Sequence, residues 1–274
     1  MPKTVFFQFT NVYQMQDFSS SFFSTAASAS AKTLVPAQMT DAICIDCRDL
    51  SGVDCYCCEE SEALLREKIR DIPTKGVHFL DSGNYHYLSK LWMEKVQEPF
   101  SLILFDNHTD MLSPGLFDML TCGSWVRYAL ENNPFLKAVC IVGPPADACA
   151  RDLELLSPDQ RERIVCISRE QMEDTDQFCH WLSRYASLPF YLSIDKDILC
   201  IEDAITNWDQ GTCSLTELLL LLALIPDTMQ CIGADICGEY GQDMDVFEQN
   251  RAAAINSMAN ERLYQQIVTK IKLS

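Results

Sequence analysis

The stretch Ser101-Leu102-Ile103-Leu104-Phe105-Asp106-Asn107-His108-Thr109-Asp110 decides the fold. Its first half is an apolar run with almost no polar alternation, as in a strand buried on both faces. Its second half carries three potential ligands. In an extended chain, residues i, i+2 and i+4 project to one side, so Asp106, His108 and Asp110 converge just past the strand's carboxyl end. Parallel α/β sheets place their sites at that edge.

Two more stretches end the same way. Phe190-Tyr191-Leu192 runs into Ser193-Ile194-Asp195-Lys196-Asp197, where Asp195 and Asp197 share a side. The apolar run at residues 77–80 leads to Gly83-Asn84-Tyr85-His86. Gly83 permits a tight turn, and His86 stands at the entry to a helix. Taken singly, each motif has a plain alternative: a hydrogen-bonded turn, a pair of loop acids, a structural histidine. Together they place two histidines and four aspartates at three strand ends. Clustered carboxylates need cations to offset their repulsion. An oxygen and imidazole set without thiolate suits Mn²⁺ ahead of Fe²⁺, Co²⁺ or Zn²⁺. Six such ligands suffice for a two-metal cluster, which makes hydroxide from water at neutral pH.

Outward from these motifs the pattern repeats. Strand-like runs lie at residues 5–9, 42–45, 77–80, 101–105, 138–142, 164–167, 190–194 and 231–234. Helix-like stretches lie at 60–70, 89–96, 125–131, 171–185, 215–225 and from about 245 to 271. The alternation predicts an α/β fold: one domain over residues 1–274, with a mostly parallel eight-stranded sheet flanked by helices on both faces. The Ser- and Ala-rich segment 19–32 reads equally as a surface loop or a small-residue helix.

A chain of 274 residues with 48% hydrophobic content is globular, not disordered. Its 39 acidic residues against 21 basic ones give a net charge of −18, which argues against nucleic acid or an anionic membrane as partner. The longest apolar run, residues 218–225, is too short to span a bilayer. The amino terminus lacks the apolar core of a signal peptide, so a cytoplasmic location is expected, with most of the 14 cysteines as thiols. Cys140, Cys166 and Cys231 read as small core residues on strands. Cys44, Cys47, Cys55 and Cys58 form two C-x-x-C pairs that have zinc-ligand chemistry. Their short separation, and the placement of Cys44 in a run expected to be buried, favour free thiols packed beside a loop.

The three motifs, in this order, resemble those of the arginase–agmatinase (ureohydrolase) family. Gly83-Asn84-Tyr85-His86 is similar to the family's G-G-D-H. Asp106 to Asp110 is similar to its D-A-H-x-D, and Ser193 to Asp197 to its S-x-D-x-D. Gln210-Gly211-Thr212 with Leu215-Thr216 resembles a reduced form of its G-T-G…G-L-T stretch, and Gly233-Ala234-Asp235-Ile236 its last core strand. The resemblance implies two Mn²⁺. His86, Asp106, Asp110 and Asp195 would hold one; Asp106, His108, Asp195 and Asp197 the other, with Asp106 and Asp195 bridging. It implies a metal-bridging hydroxide that attacks a guanidino or amidino carbon, with Asp110 passing a proton to the leaving amine. It also brings homo-oligomers into the set of expectations.

Departures from the family concern the substrate. Leu112 replaces an asparagine used for the amino acid's carboxylate, and Val126 stands where a proton-shuttle histidine is found. The acid expected to face the guanidinium is Glu239, one position late, with Gly238 and Gly241 beside it to let it swing inward. Leu112 and Trp125 give the pocket an apolar end, so an arginine side chain within a peptide is a substrate to weigh beside small guanidino compounds. Segments 19–32 and 47–58 have no clear family counterpart and are candidates for pocket walls. A degenerate metal- or partner-binding member of the fold, and a deacetylase-like amide hydrolase, are the competing readings.

Overall fold

The computed structural model describes residues 3–23, 42–113 and 119–273. Eight strands form one sheet: β1 (Lys3–Gln8), β2 (Ala42–Asp46), β4 (Gly76–Phe79), β5 (Phe100–Phe105), β7 (Leu136–Val142), β8 (Ile164–Ile167), β9 (Phe190–Asp195) and β10 (Cys231–Cys237). Their order is β2-β1-β4-β10-β9-β5-β7-β8 and every pairing is parallel. A small antiparallel ribbon, β3 (Tyr56–Cys57) with β6 (Leu120–Thr121), stands apart from it.

Successive side chains on a strand point to opposite faces, and both faces are covered. Phe6, Phe79, Ile103 and Phe105 enter one core. There they meet α1 (Asp17–Phe23), α7 (Asp176–Arg184), α8 (Leu215–Leu224) and α9 (Val246–Leu273). Val5, Phe7, Leu102 and Leu104 enter the other. They meet α2 (Glu59–Ile69), α3 (Leu88–Met93) and α4 (Trp125–Asn132). Short helices α5 (Ala146–Glu154) and α6 (Pro158–Glu162) precede β8. The start of α8 is fixed by a capping box, Ser214 with Glu217, which satisfies otherwise orphaned amides. Among the described residues, no helix is long and apolar enough to cross a membrane.

The differences from the sequence reading have local causes. β10 runs to Cys237 because its acid, Asp235, is buried and takes a hydrogen bond from Ser193 instead of ending the strand. The 171–185 stretch splits into a 3-10 turn at Arg169–Gln171 and α7, since a Ser168–Gln171 capping box closes the turn on itself. Cys44 is exposed, not buried, because β2 is an edge strand. Cys166 is not a free thiol but is disulfide-bonded to Cys149 of α5. Of segment 19–32, the first residues belong to α1 and residues 24–32 lie outside the described residues.

Gly143, just after β7, has φ +123°. A Cβ there would run into the Asp106 carbonyl oxygen and the Ile198 side chain. Gly143→Ala is therefore expected to destabilise the fold by about 1–3 kcal/mol. It should also shift the end of β5 that carries Asp106; a melting curve and metal titration of the variant check both.

Candidate metal centre

The motif-bearing strands β4, β10, β9 and β5 are consecutive neighbours in the sheet, so their carboxyl ends share one edge. β5 delivers Asp106, whose Oδ1 accepts the His108 amide at 2.6 Å. The chain then turns so sharply that Asp110 takes φ +52°. β9 delivers Asp195, whose Oδ1 accepts the Asp197 amide at 3.0 Å. Asp197 in turn accepts the Asn107 amide at 3.0 Å, which ties the two loops together. His86 caps the 3-10 turn Gly83–Tyr85 after β4.

All six residues singled out from the sequence meet here. His86 Nδ1 lies 3.3 Å from Asp106 Oδ2, 3.0 Å from Asp110 Oδ2 and 3.4 Å from Asp195 Oδ2. His108 Nδ1 lies 3.5 Å from Asp106 Oδ1 and 2.9 Å from Asp197 Oδ2. Asp106 thus turns one oxygen to each histidine. Of the two histidines Asp195 stands beside His86, and its other oxygen accepts the Asp197 amide. Donor separations near 3 Å match the edge of a coordination shell with ligands at about 2.1 Å.

The far nitrogens fix the ring states. His86 Nε2 lies 2.8 Å from Ser193 Oγ, which itself donates to Asp235 Oδ1 at 2.6 Å. Ser193 therefore accepts from Nε2–H, and Nδ1 is turned toward three carboxylates, where a cation could replace the proton it shares with them. His108 Nε2 is 3.1 Å from Asp209 Oδ1, and its Nδ1 likewise faces Asp106 and Asp197. Donation of the outer ring N–H to an acceptor is how metal-binding histidines are oriented. Asp106 Oδ2 is buried with no hydrogen-bond partner. An orphaned carboxylate oxygen beside two inward-facing imidazole nitrogens fits a divalent cation.

The charges say the same. Burial, then Asp106, pushes Asp195 up and Asp110 up to about 6. Burial, then Asp195, pushes Asp197 well up. Burial opposes ionisation of Asp106 as well, yet His108 and His86 hold it well below the usual carboxylate range. Burial disfavours a charge on His86, yet Cys237, Asp106 and Asp110 raise its pKa well above the ordinary value. A cation in the cluster would take the place of those protons. The sign of the pH effect follows. Asp110 rises from 3.8 to about 6 on folding, so the metal-free fold loses stability as pH climbs through that window. Divalent cation should reverse the slope, because ligands must shed protons to bind it. Melting curves across that window, with Mn²⁺ and with chelator, check this.

Other expected site residues fall elsewhere. Glu239, expected from the sequence to face the substrate, does not stand free: its carboxylate meets Lys196 Nζ at 2.5 Å, Gln16 at 2.8 Å, Asn256 at 2.9 Å and Asn260 at 2.7 Å. Lys196 is fully buried and needs that counter-charge. Trp125 is also no pocket wall: it is fully buried and its indole N–H donates to Asp110 Oδ2 at 2.5 Å. Leu112 is half exposed and Val126 buried. His78 is buried, stacked on Trp92, and His180 is exposed on α7. Cys47 is buried, and Cys55 and Cys58 are partly so; none falls within a group of potential ligands among the described residues.

The 47–58 segment does form a wall. A cavity of about 580 Å³ is lined by Arg48, Val53 and Tyr56 from it, with Phe9, Asn84 and Tyr240 opposite. Asn84 also accepts from the indole N–H of Trp208 at 2.8 Å, and the Trp208 ring packs against His108. Cys237, Asp209 and Trp208 were missed by the sequence reading. No local pattern marks them, since each reaches the centre from a distant segment.

No protein-family model matches the chain. An uncharacterised protein from Thermotoga maritima is 36% identical over 181 residues, which is 64% of this chain and 65% of that protein. Solved structures match far more of it. Proclavaminate amidino hydrolase from Streptomyces clavuligerus superposes with a TM-score of 0.66 at 14% identity, covering 98% of this chain and 92% of that one. Arginase from Bacillus cereus gives 0.64 at 15%, covering 96% and 98%. Agmatine ureohydrolase of Thermoplasma volcanium gives 0.64 at 13%, covering 99% and 90%. Identities this low establish architecture, and the chain has the fold of the arginases and agmatinases.

Proposed function

We propose that the protein is a binuclear metal-dependent hydrolase that cleaves a C–N bond of a guanidino or amidino compound. Asp106 carries this reading: its two oxygens face two separate histidines, and one of them has no other partner. His86, Asp106, Asp110 and Asp195 would hold one cation, and Asp106, His108 and Asp197 the other, with Mn²⁺ the first expectation. Bound there, the pair would supply a strong nucleophile from water at neutral pH and polarise the electrophilic carbon.

The chain's own residues supply the rest. Ser193 and Asp209 hold the two imidazoles in the ligand tautomer. Trp125 pins Asp110 Oδ2, which leaves Oδ1 to carry a proton. Asp110 would take a proton through that oxygen and return it to the leaving amine. The cavity lined by Asn84 would be the side from which substrate approaches; Trp208 bonds Asn84 and packs against His108, and so links that cavity to the cluster. Solved structures of this fold include an amidino hydrolase and a ureohydrolase, which supports the reaction class.

A second reading is a member of the fold that binds metal without turnover. The engaged state of Glu239 and the valine at position 126 favour it. Urea or ammonia release from arginine, agmatine and arginyl peptides by Mn²⁺-loaded protein separates the two. Product lost in Asp110→Asn supports the hydrolase; two bound metals with no product from any of these would sink it. The cytoplasmic location belongs to the same proposal.

A further inference from the structure

Cys237 brings a different donor into the cluster. It ends β10, in register with Asp195 of β9. Registered neighbours in a parallel sheet send their side chains to one face. Its sulfur lies 3.0 Å from Asp195 Oδ2, and Cys237, His86 and Asp195 together offer three donor atoms within 4.8 Å of one another. All three residues are buried. The unpartnered Asp106 Oδ2 lies 3.3 Å from the same His86 nitrogen. The next residue is Gly238 with φ +86°, where a Cβ would collide with Asp195 Oδ1 and the Lys196 amide. The backbone is therefore pressed against the ligand loop, and the sulfur sits at the centre.

We propose that Cys237 is itself a ligand of the cation held by His86 and Asp195. Its thiolate makes that position select zinc, cobalt or iron(II) over manganese, while the His108 position keeps nitrogen and oxygen donors only. Sulfur favours the softer ions, and a thiol loses its proton to solvent when it coordinates. The inference rests on the metal-centre reading above and departs from the all-oxygen-and-nitrogen set drawn from sequence.

Cobalt substitution of the full chain tests it. Two Co²⁺ per chain should give visible d–d bands together with a near-ultraviolet sulfur-to-cobalt charge-transfer band. That band should persist in Cys55→Ser, which removes one member of the four-cysteine group at 44–58, and vanish in Cys237→Ser. Cys237→Ser should bind zinc about 10-fold or more weakly, with a smaller loss for manganese. Visible bands without the charge-transfer band, or a band that survives in Cys237→Ser, would overturn the assignment and leave the metal centre standing. No cobalt uptake at all would overturn both. Should Cys237→Ser fail to fold, zinc-edge absorption on the Cys55→Ser protein decides. One sulfur at about 2.3 Å per two zinc ions supports the ligand, and none overturns it.

Discussion

Asp106→Asn is expected to abolish high-affinity binding of both cations, weakening each by more than about 100-fold. The other acids serve one position each; Asp106 faces both histidines, with Oδ2 towards His86 and Oδ1 towards His108. An amide keeps the shape but replaces one oxygen with an N–H₂ donor, which repels a cation. Asp197→Asn should cost only the ion beside His108, because Asp197 meets that ring alone. Calorimetric titration should show two sites in the parent, one in Asp197→Asn and none in Asp106→Asn. Stability gives an independent reading. A ligand present at 100 times its dissociation constant adds about 2.7 kcal/mol to the folded state. Mn²⁺ should therefore raise the melting temperature of the parent and leave Asp106→Asn unmoved. Two intact sites in Asp106→Asn would remove the bridging role.

Glu239→Gln is expected to destabilise the protein by about 3–5 kcal/mol, because it strands the Lys196 ammonium in a site closed to water. For a chain of this size the melting temperature should fall by about 10 °C. The cause is local: the other groups around the carboxylate, the amides of Gln16, Asn256 and Asn260, carry no charge that could replace it beside the lysine. The double variant Glu239→Gln with Lys196→Met should recover much of the loss, since removing both charges removes the desolvation cost. The rescue separates this role from the one expected from sequence. An acid that paired with a substrate guanidinium would change KM and leave the melting temperature alone. Equal melting of parent and Glu239→Gln would show that the buried pair contributes little.

Much of the centre was legible because its information is local. An apolar run that ends in acids spaced by two residues places those acids on one side of one edge. Two such runs, with the turn after a third, identify His86, Asp106, His108, Asp110, Asp195 and Asp197 without knowledge of strand order. The partners of Glu239 were not legible for the opposite reason. Lys196 sits between two ligands with no sequence neighbour to mark its partner, and Gln16, Asn256 and Asn260 come from opposite ends of the chain. Nothing in the local sequence singles out Cys237, because only the register of β10 on β9 sets it against Asp195. Helices α5 and α6, both short, escaped the sequence reading. The one fully buried polar group of α5, Asp152, is held by Thr109 of the ligand loop, a contact that spacing cannot show.

The strand order also dictates a timetable. β10 (Cys231–Cys237) lies between β4 (Gly76–Phe79) and β9 (Phe190–Asp195), so one of the last strands in sequence is the middle piece of the sheet. As the chain emerges from the ribosome, β4 and β9 each keep a bare edge until residue 231 has been made. Long-range parallel pairing is slow, and unpaired edges invite aggregation. The β4 edge stays open from residue 79 to 231, the β9 edge only from 195 to 231. When β10 closes the gap, it completes the sheet and brings Cys237 to Asp195 in the same step.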